Sequence, residues 1–248
     1  MSIQIKAALN DKGQQYHICC TKEDIGKYVL LPGDPGRTDL IAQHFTNARL
    51  VAHNREHKTW TGMLAGVPVS VTSTGMGSPS AAIAIEELIH CGAHTFIRIG
   101  TAGHVCDASF DETLSGVIVT GTVRDEGTTR QYIPIEYPAI ADRRIVAALS
   151  DAAEKAGLNY IEGIAQCKDS FYGQHDPGSM PLAYELTNRW EAWRRGNVMC
   201  SEMESAALFI LCSIRGVRGG AIMSYKGMEE TIGIACEAMK TLITADQG

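Results

Sequence analysis

One charge set inside an apolar run constrains this chain more than any other feature. The run is Thr95–Gly103, T-F-I-R-I-G-T-A-G. Phe96, Ile97 and Ile99 predict a buried β-strand, and Arg98 interrupts it. A buried charge is costly unless it is paired or holds a ligand. The strand opens into Gly100-Thr101-Ala102-Gly103, a small-residue turn whose backbone N–H groups and hydroxyl can face an anion. In α/β proteins, ligands bind beyond the carboxyl ends of strands. Two readings stand side by side here: an anion site shared by Arg98 and the turn, or a structural Arg–carboxylate pair beside an ordinary turn.

The rest of the chain alternates strands with helices. Residues 1–26 read as a polar N-terminal arm, either frayed or laid across a neighbouring surface. Tyr28–Leu31 is a strand running into Pro32-Gly33-Asp34-Pro35-Gly36-Arg37 and then a helix to about Phe45. Residues 63–71 read as a hairpin, followed by Ser73-Thr74-Gly75-Met76-Gly77. Ser78 is expected to cap the next helix, which has Pro79 in its first turn. Further strands are expected at 117–120, 160–167, 197–200 and 218–225, and helices at 141–156, 201–215 and 228–244. Residues 168–178 read as a long loop. This order predicts a single α/β domain over residues 1–248, a central mixed twisted sheet covered by helices on both faces.

Composition narrows the partners. The net charge of −6 and the lack of a basic stripe argue against a nucleic acid polymer. No apolar run is long enough to span a bilayer, and the first twenty residues lack a signal pattern. The eight cysteines form no CxxC pair and several sit in apolar segments. They read as buried thiols of a cytoplasmic protein.

Four strand ends carry polar groups: Gly33 with Arg37, the 74–77 turn, Arg98 with Thr101, and Arg124. Three arginines facing small-residue turns suggest a polyanion such as phosphate. The 32–37 run lacks the Lys-Ser/Thr of a P-loop, and no G-x-G-x-x-G follows a strand, so a dinucleotide site has no support. Ser201 and Glu204 form an S-x-x-E capping box; the alternative is that Glu204 faces a cleft and binds sugar hydroxyls. His53 and His57 are spaced i, i+4 but lack H-E-x-x-H, and Trp190 and Trp193 read as packing anchors.

As a set, these residues resemble the nucleoside phosphorylase-I family, within it the uridine phosphorylase branch. The matching pieces are LPGDPGR (31–37), NRE (54–56), TSTGMGSPS (72–80), AIEEL (84–88), FIRIGTAG (96–103), VRDEG (123–127), SFYGQ (170–174) and SEMESAAL (201–208). The resemblance implies phosphorolysis of a nucleoside to a free base and ribose 1-phosphate, with inorganic phosphate as co-substrate and no organic cofactor. It implies that Gly33, Arg37, Arg98 and Thr101 hold phosphate, with Arg55 supplied by a neighbouring subunit. His17, again from the neighbour, with Met203 and Glu204 would bind ribose. Phe171, Gln174 and His175 would meet the base. Glu56, Met76 and Ser80 match residues that hold K+ or another monovalent cation between subunits in some members. A self-associated dimer would then be the smallest working unit, alone or in a hexameric ring of dimers.

The chain departs from that family at the base. Where uridine phosphorylases usually have Gln-x-Arg, it has Gln174-His175-Asp176, and an ionised Asp would repel a uracil anion. His175, Lys168 or Lys226 can stand in for the missing arginine. Ala102 replaces a threonine, Ser201 replaces an aromatic residue, and the segment Ser224-Tyr225-Lys226-Gly227 is shortened and lacks the aspartate used by purine-cleaving relatives. The reading is phosphorolysis of a pyrimidine nucleoside, uridine first. The alternatives are a phosphorylase for another nucleoside, a hydrolytic nucleosidase, or a weakly active nucleoside-binding homologue. Replacing Arg98 with alanine is expected to impair phosphate use far more than folding.

Overall fold

The computed structural model describes residues 7–105 and 111–248. Its strands are β1 (Tyr28–Pro32), β2 (Thr46–Asn54), β3 (His57–Leu64), β4 (Val67–Thr72), β5 (Thr95–Thr101), β6 (Gly103–His104), β7 (Gly116–Asp125), β8 (Ala139–Ile140), β9 (Tyr160–Lys168), β10 (Val198–Glu202) and β11 (Arg218–Ser224). Its helices are α1 (Pro35–Ala42), α2 (Ser78–His90), α3 (Arg143–Lys155), α4 (Phe171–His175), α5 (Ala183–Arg195), α6 (Ser205–Arg215) and α7 (Met228–Gln247).

All the described strands join one mixed sheet in the order β2-β3-β4-β1-β5-β11-β7-β9-β10-β6, with β8 on β7. The segment β4-β1-β5-β11 is parallel, and β7 turns antiparallel to β11. Strand β6 follows β5 after one residue and pairs antiparallel with β10, Ser201 opposite Gly103. The path from β5 round to β10 therefore comes back on itself. That return sets the end of β10, with its Glu202, against the end of β5, with its Arg98.

Alternation of period two sorts side chains onto two cores. Val29, Leu31 and Phe96 enter the core under α2 and α6. Leu30, Ile97 and Ile99 enter the one under α3 and α7. Strand β5 is buried on both faces, as its apolar run predicts, and Arg98 lies on the Phe96 side.

Several expected boundaries move. The first helix ends at Ala42 instead of Phe45. Ser78 is the first residue of α2, not its cap; Gly77 holds that position, and the Ser78 hydroxyl donates to the Met203 carbonyl at 3.0 Å. Residues 168–178 are not plain loop, because Ser170 caps the short helix α4 by accepting from Gly173 N–H. Helix α6 begins at Ser205, after Ser201 and Glu202 have finished β10. The described part of the arm is packed on the body: Ile18 and Cys20 are fully buried, and Glu87 accepts from the backbone N–H groups of His17 and Ile18. Residues 1–6, and Cys106 among the cysteines, lie outside the described residues. Burial pushes the thiols of Cys20, Cys91 and Cys236 up to about 12, which suits inert core thiols. Among the described residues, no helix is long and apolar enough to cross a membrane.

Candidate active site

A cavity of about 620 Å³ opens where the ends of β1, β5, β9 and β10 meet. Arg98 lies across its floor, 5% exposed. Its Nε donates to Glu202 Oε2 at 3.1 Å and its Nη2 donates to Glu204. Burial works against the guanidinium charge, yet Glu204 and Glu202 more than offset this, and the Arg98 pKa is raised. The third nitrogen, Nη1, is buried with no hydrogen-bond partner among the described residues. The structural Arg–carboxylate pair is present. Two of the guanidinium nitrogens serve it, and the third is left without a partner among the described residues.

That nitrogen faces Gly33. The Asp34 carboxylate caps α1 by accepting from Gly36 N–H at 2.8 Å, and Pro35 starts the helix. This local chemistry turns the chain sharply after β1 and sets Arg37 in the first turn of α1. Arg37, Gly33 and Thr101 line the same end of the cavity as Arg98, and Arg37 has no ion-pair partner among the described residues. A Cβ added at Gly33 would lie 3.3 Å from the Gly75 carbonyl oxygen and 4.0 Å from Arg98 Nη1. A Gly33→Ala variant should therefore raise KM for phosphate about tenfold, roughly 1.4 kcal/mol, and leave KM for the nucleoside alone. Steady-state kinetics with each substrate varied in turn reads this directly.

Glu204 is the second buried charge. It accepts from Gly77 N–H and from Arg98. Burial pushes its carboxyl above the ordinary value, while Arg98 pulls the other way. The expected Ser201–Glu204 capping box does not form. Glu202 does that work, accepting from Glu204 N–H at 2.8 Å and Ser205 N–H at 3.0 Å. A carboxylate two residues earlier, at the end of β10, satisfies the orphan N–H groups and frees Glu204 to face the cavity. The adjacent acid in S-E-M-E was the signal for this, and sequence reasoning passed over it.

The cavity wall also carries Phe171, Gln174, His175, Lys168, Ser201 and Met203. Phe171 and His175 stack with ring centroids 4.1 Å apart. Asp176 is exposed at the end of α4 and is absent from the cavity wall. Lys226 turns away to the Glu112 carbonyl. Of the three stand-ins for the missing arginine, Lys168 and His175 reach the wall and Lys226 does not.

Arg124 leaves the expected set. Its guanidinium donates to the Pro134 carbonyl at 2.7 Å, to those of Ile133 and Thr129 at 2.9 and 3.0 Å, and to others in that loop. It is a structural clamp on residues 129–137. His57 is buried against the Ser73 carbonyl. Trp190 and Trp193 are half-buried and wall a second cavity of about 360 Å³ behind Gln174. Arg55, in a left-handed turn at the β2–β3 tip, is exposed. His17 is tied to Glu87, Nδ1 to Oε1 at 2.6 Å. Neither Arg55 nor His17 lines the cavity of its own chain. Ser80 Oγ lies 2.8 Å from Glu56 Oε1, and Glu56 and the exposed Met76 edge the cavity.

The chain belongs to the phosphorylase superfamily, whose family description it matches over residues 27–237. Within it the chain falls in the uridine phosphorylase branch of the nucleoside phosphorylases. It is 50% identical to a uridine phosphorylase of Treponema pallidum (strain Nichols), covering 94% of this chain and 95% of that one. A uridine phosphorylase of Thermococcus kodakarensis is 42% identical, covering 96% of this chain and 90% of its own. A guanosine phosphorylase of Halorubrum lacusprofundi is 36% identical, covering 86% and 83%.

Proposed function

We propose that this chain catalyses the reversible phosphorolysis of a pyrimidine nucleoside, uridine first, to the free base and ribose 1-phosphate. The observation that carries this reading is the unpartnered Nη1 of Arg98, buried beside Gly33 at a cavity whose wall also carries Glu204, Phe171 and Gln174. An anion at one end, a carboxylate for hydroxyls in the middle and an aromatic with an amide at the other match phosphate, ribose and base in line.

The chemistry follows from that order. As the C1′–N bond stretches, its electron pair goes to the base and the sugar becomes oxocarbenium-like. A phosphate oxygen held by Arg37, Arg98 and Thr101 bonds to C1′. The proton carried by hydrogen phosphate passes to the base, so uracil leaves neutral. Glu204 and Met203 fix the ribose, and Gln174 reads the base above Phe171. The protein's part is positioning and preorganised charge, with no strong general base.

The cavity of a single chain has four carboxylates on its wall, Asp34, Glu56, Glu202 and Glu204, against Arg37, Arg98 and Lys168. A dianion needs further positive charge. Arg55 of a second copy would supply it, and His17 would reach the 5′-hydroxyl in the same way. The oxygens of Glu56 and Ser80 are hard donors that suit a monovalent cation, with the second copy completing the set.

A second reading, phosphorolysis of another nucleoside, is favoured by the lost Gln-x-Arg and by the guanosine phosphorylase relative. A panel of uridine, 2′-deoxyuridine, cytidine, inosine and guanosine assayed with and without phosphate separates the two. Uridine should yield uracil and ribose 1-phosphate, and omission of phosphate should abolish turnover. Turnover without phosphate would end the phosphorylase reading, and preference for a purine would end the uridine one.

A further inference from the structure

Asp125 ends β7 outside the active-site cavity, and the reaction as described leaves it unused. It walls the second cavity with Gln166, Arg189 and Trp193. One of its carboxylate oxygens pairs with Arg189 of α5, whose guanidinium also lies 6.0 Å from the centre of the Trp193 ring. The other accepts from Gln166 Nε2 at 2.7 Å. Gln166, 4% exposed on β9, turns its oxygen to Ser201. Ser201 in turn meets Gln174, which lines both cavities. A line of hydrogen bonds therefore runs from a distant ion pair to the wall that would meet the base.

The direction of that line is forced. A carboxylate only accepts, so Gln166 must give Asp125 an N–H and keep its oxygen for Ser201. Ser201 Oγ lies 2.6 Å from the amides of both glutamines, but a hydroxyl has one proton. The Gln166 oxygen takes it. Lys168 Nζ donates to the same hydroxyl at 2.7 Å. Ser201 can then only accept from Gln174, which turns an N–H to it and leaves its own oxygen as an acceptor for a base. Uracil offers a ring N–H at N3; cytosine has a bare nitrogen there. Reversing any link of the line would reverse the last one.

We propose that Asp125 is a positioning residue that sets the polarity of the Gln174 amide, and through it the preference for a pyrimidine with an N–H at N3. From off the cavity wall it determines which end of another residue's amide faces the base. Arg189 makes the setting one-way, because a guanidinium only donates and the residue at 125 must offer it an oxygen. In Asp125→Asn that oxygen goes to Arg189, and Nδ2 is left for Gln166. Gln166 then turns over, Ser201 gives its proton to Gln174, and Gln174 presents an N–H where it had presented an oxygen. The assignment rests on the proposed phosphorolysis of uridine.

The test measures kcat/KM for uridine, cytidine and pyrimidin-2-one riboside, the last two bare at N3, in wild type, Asp125→Asn and Arg189→Met. Where turnover of a bare-N3 nucleoside is too slow to follow, its inhibition constant against uridine gives the same comparison. Both substitutions break the same ion pair, but only the first changes what Gln166 meets. Asp125→Asn should cost uridine about 10- to 100-fold, the scale of one mismatched buried hydrogen bond, and narrow its advantage over the bare-N3 nucleosides at least as far. Arg189→Met, which leaves a carboxylate at 125, should keep that advantage within about threefold of wild type, the scale of a part-exposed ion pair. KM for phosphate should change little in both. Gln166→Leu, which frees the Ser201 proton for Gln174, carries the same comparison if Asp125→Asn does not fold. An unchanged advantage in Asp125→Asn, or an equal narrowing in Arg189→Met, would overturn the assignment while leaving uridine phosphorolysis intact. A wild type that leaves uridine uncleaved in the presence of phosphate would overturn the proposed function, and the role of Asp125 with it.

Discussion

Arg98→Lys should fold and yet lose at least 100-fold in kcat/KM for phosphate. A lysine keeps one positive charge between Glu202 and Glu204, so the buried carboxylates still have a counter-ion. It cannot reproduce the planar fork that serves Glu202, Glu204 and a third acceptor at once. The nitrogen facing Gly33 is the one lost, at a cost of about 3 to 4 kcal/mol in transition-state stabilisation. Arg98→Ala should behave differently from the expectation drawn from sequence. It removes the counter-ion of two buried carboxylates, and breaking such a pair costs about 3 to 5 kcal/mol of stability. Its lost activity would then be confounded by unfolding. Thermal denaturation beside phosphate-dependent kinetics distinguishes the two variants. A lysine variant with near-normal phosphate kinetics would remove Arg98 from the phosphate site.

Glu204→Gln should lower kcat/KM for uridine by about 100- to 1,000-fold and change KM for phosphate little. The amide still accepts from Gly77 N–H but loses the charge that holds a ribose hydroxyl. With 2′-deoxyuridine as substrate the same substitution should cost less than tenfold, because the hydroxyl that Glu204 would bind is gone. Equal losses on both sugars would move Glu204 from ribose binding to a structural part. The variant also has a pH signature. Burial holds the Glu204 carboxyl above its ordinary 4.5. Its contribution to stability is full below 4.5 and is lost as pH rises through the folded value. The stability of Glu204→Gln relative to wild type, followed by chemical denaturation, should therefore increase with pH across that window.

Much of this site could be read without a structure because its parts are local. Asp34 before Pro35 announces a capped helix after a strand, and Gly33 and Arg37 follow from it. Arg98 in an apolar strand is anomalous wherever that strand sits. The errors were local as well. S-x-x-E at 201–204 satisfies the pattern of a capping box, but Glu202 outcompetes Glu204 because β10 runs on to residue 202 and delays the helix. Arg124 looked like a ligand for an anion because nothing in the sequence shows that the 129–137 loop folds back with its carbonyl groups turned inward.

By itself, the sequence determined the alternation of strands and helices, the two-sided burial of β5 and the cast of polar residues at the strand ends. These depend on periodicity and turn chemistry within a few residues of one another. Only the tertiary structure decided which of those residues meet. Glu202 and Glu204 lie more than a hundred positions from Arg98, and their pairing depends on the sheet returning through β6 to β10. The pairing of β10 with β9 likewise brings Ser201 to Lys168 and Gln174. Contacts of that range are fixed by the closure of the whole sheet, and no short stretch of chain encodes it.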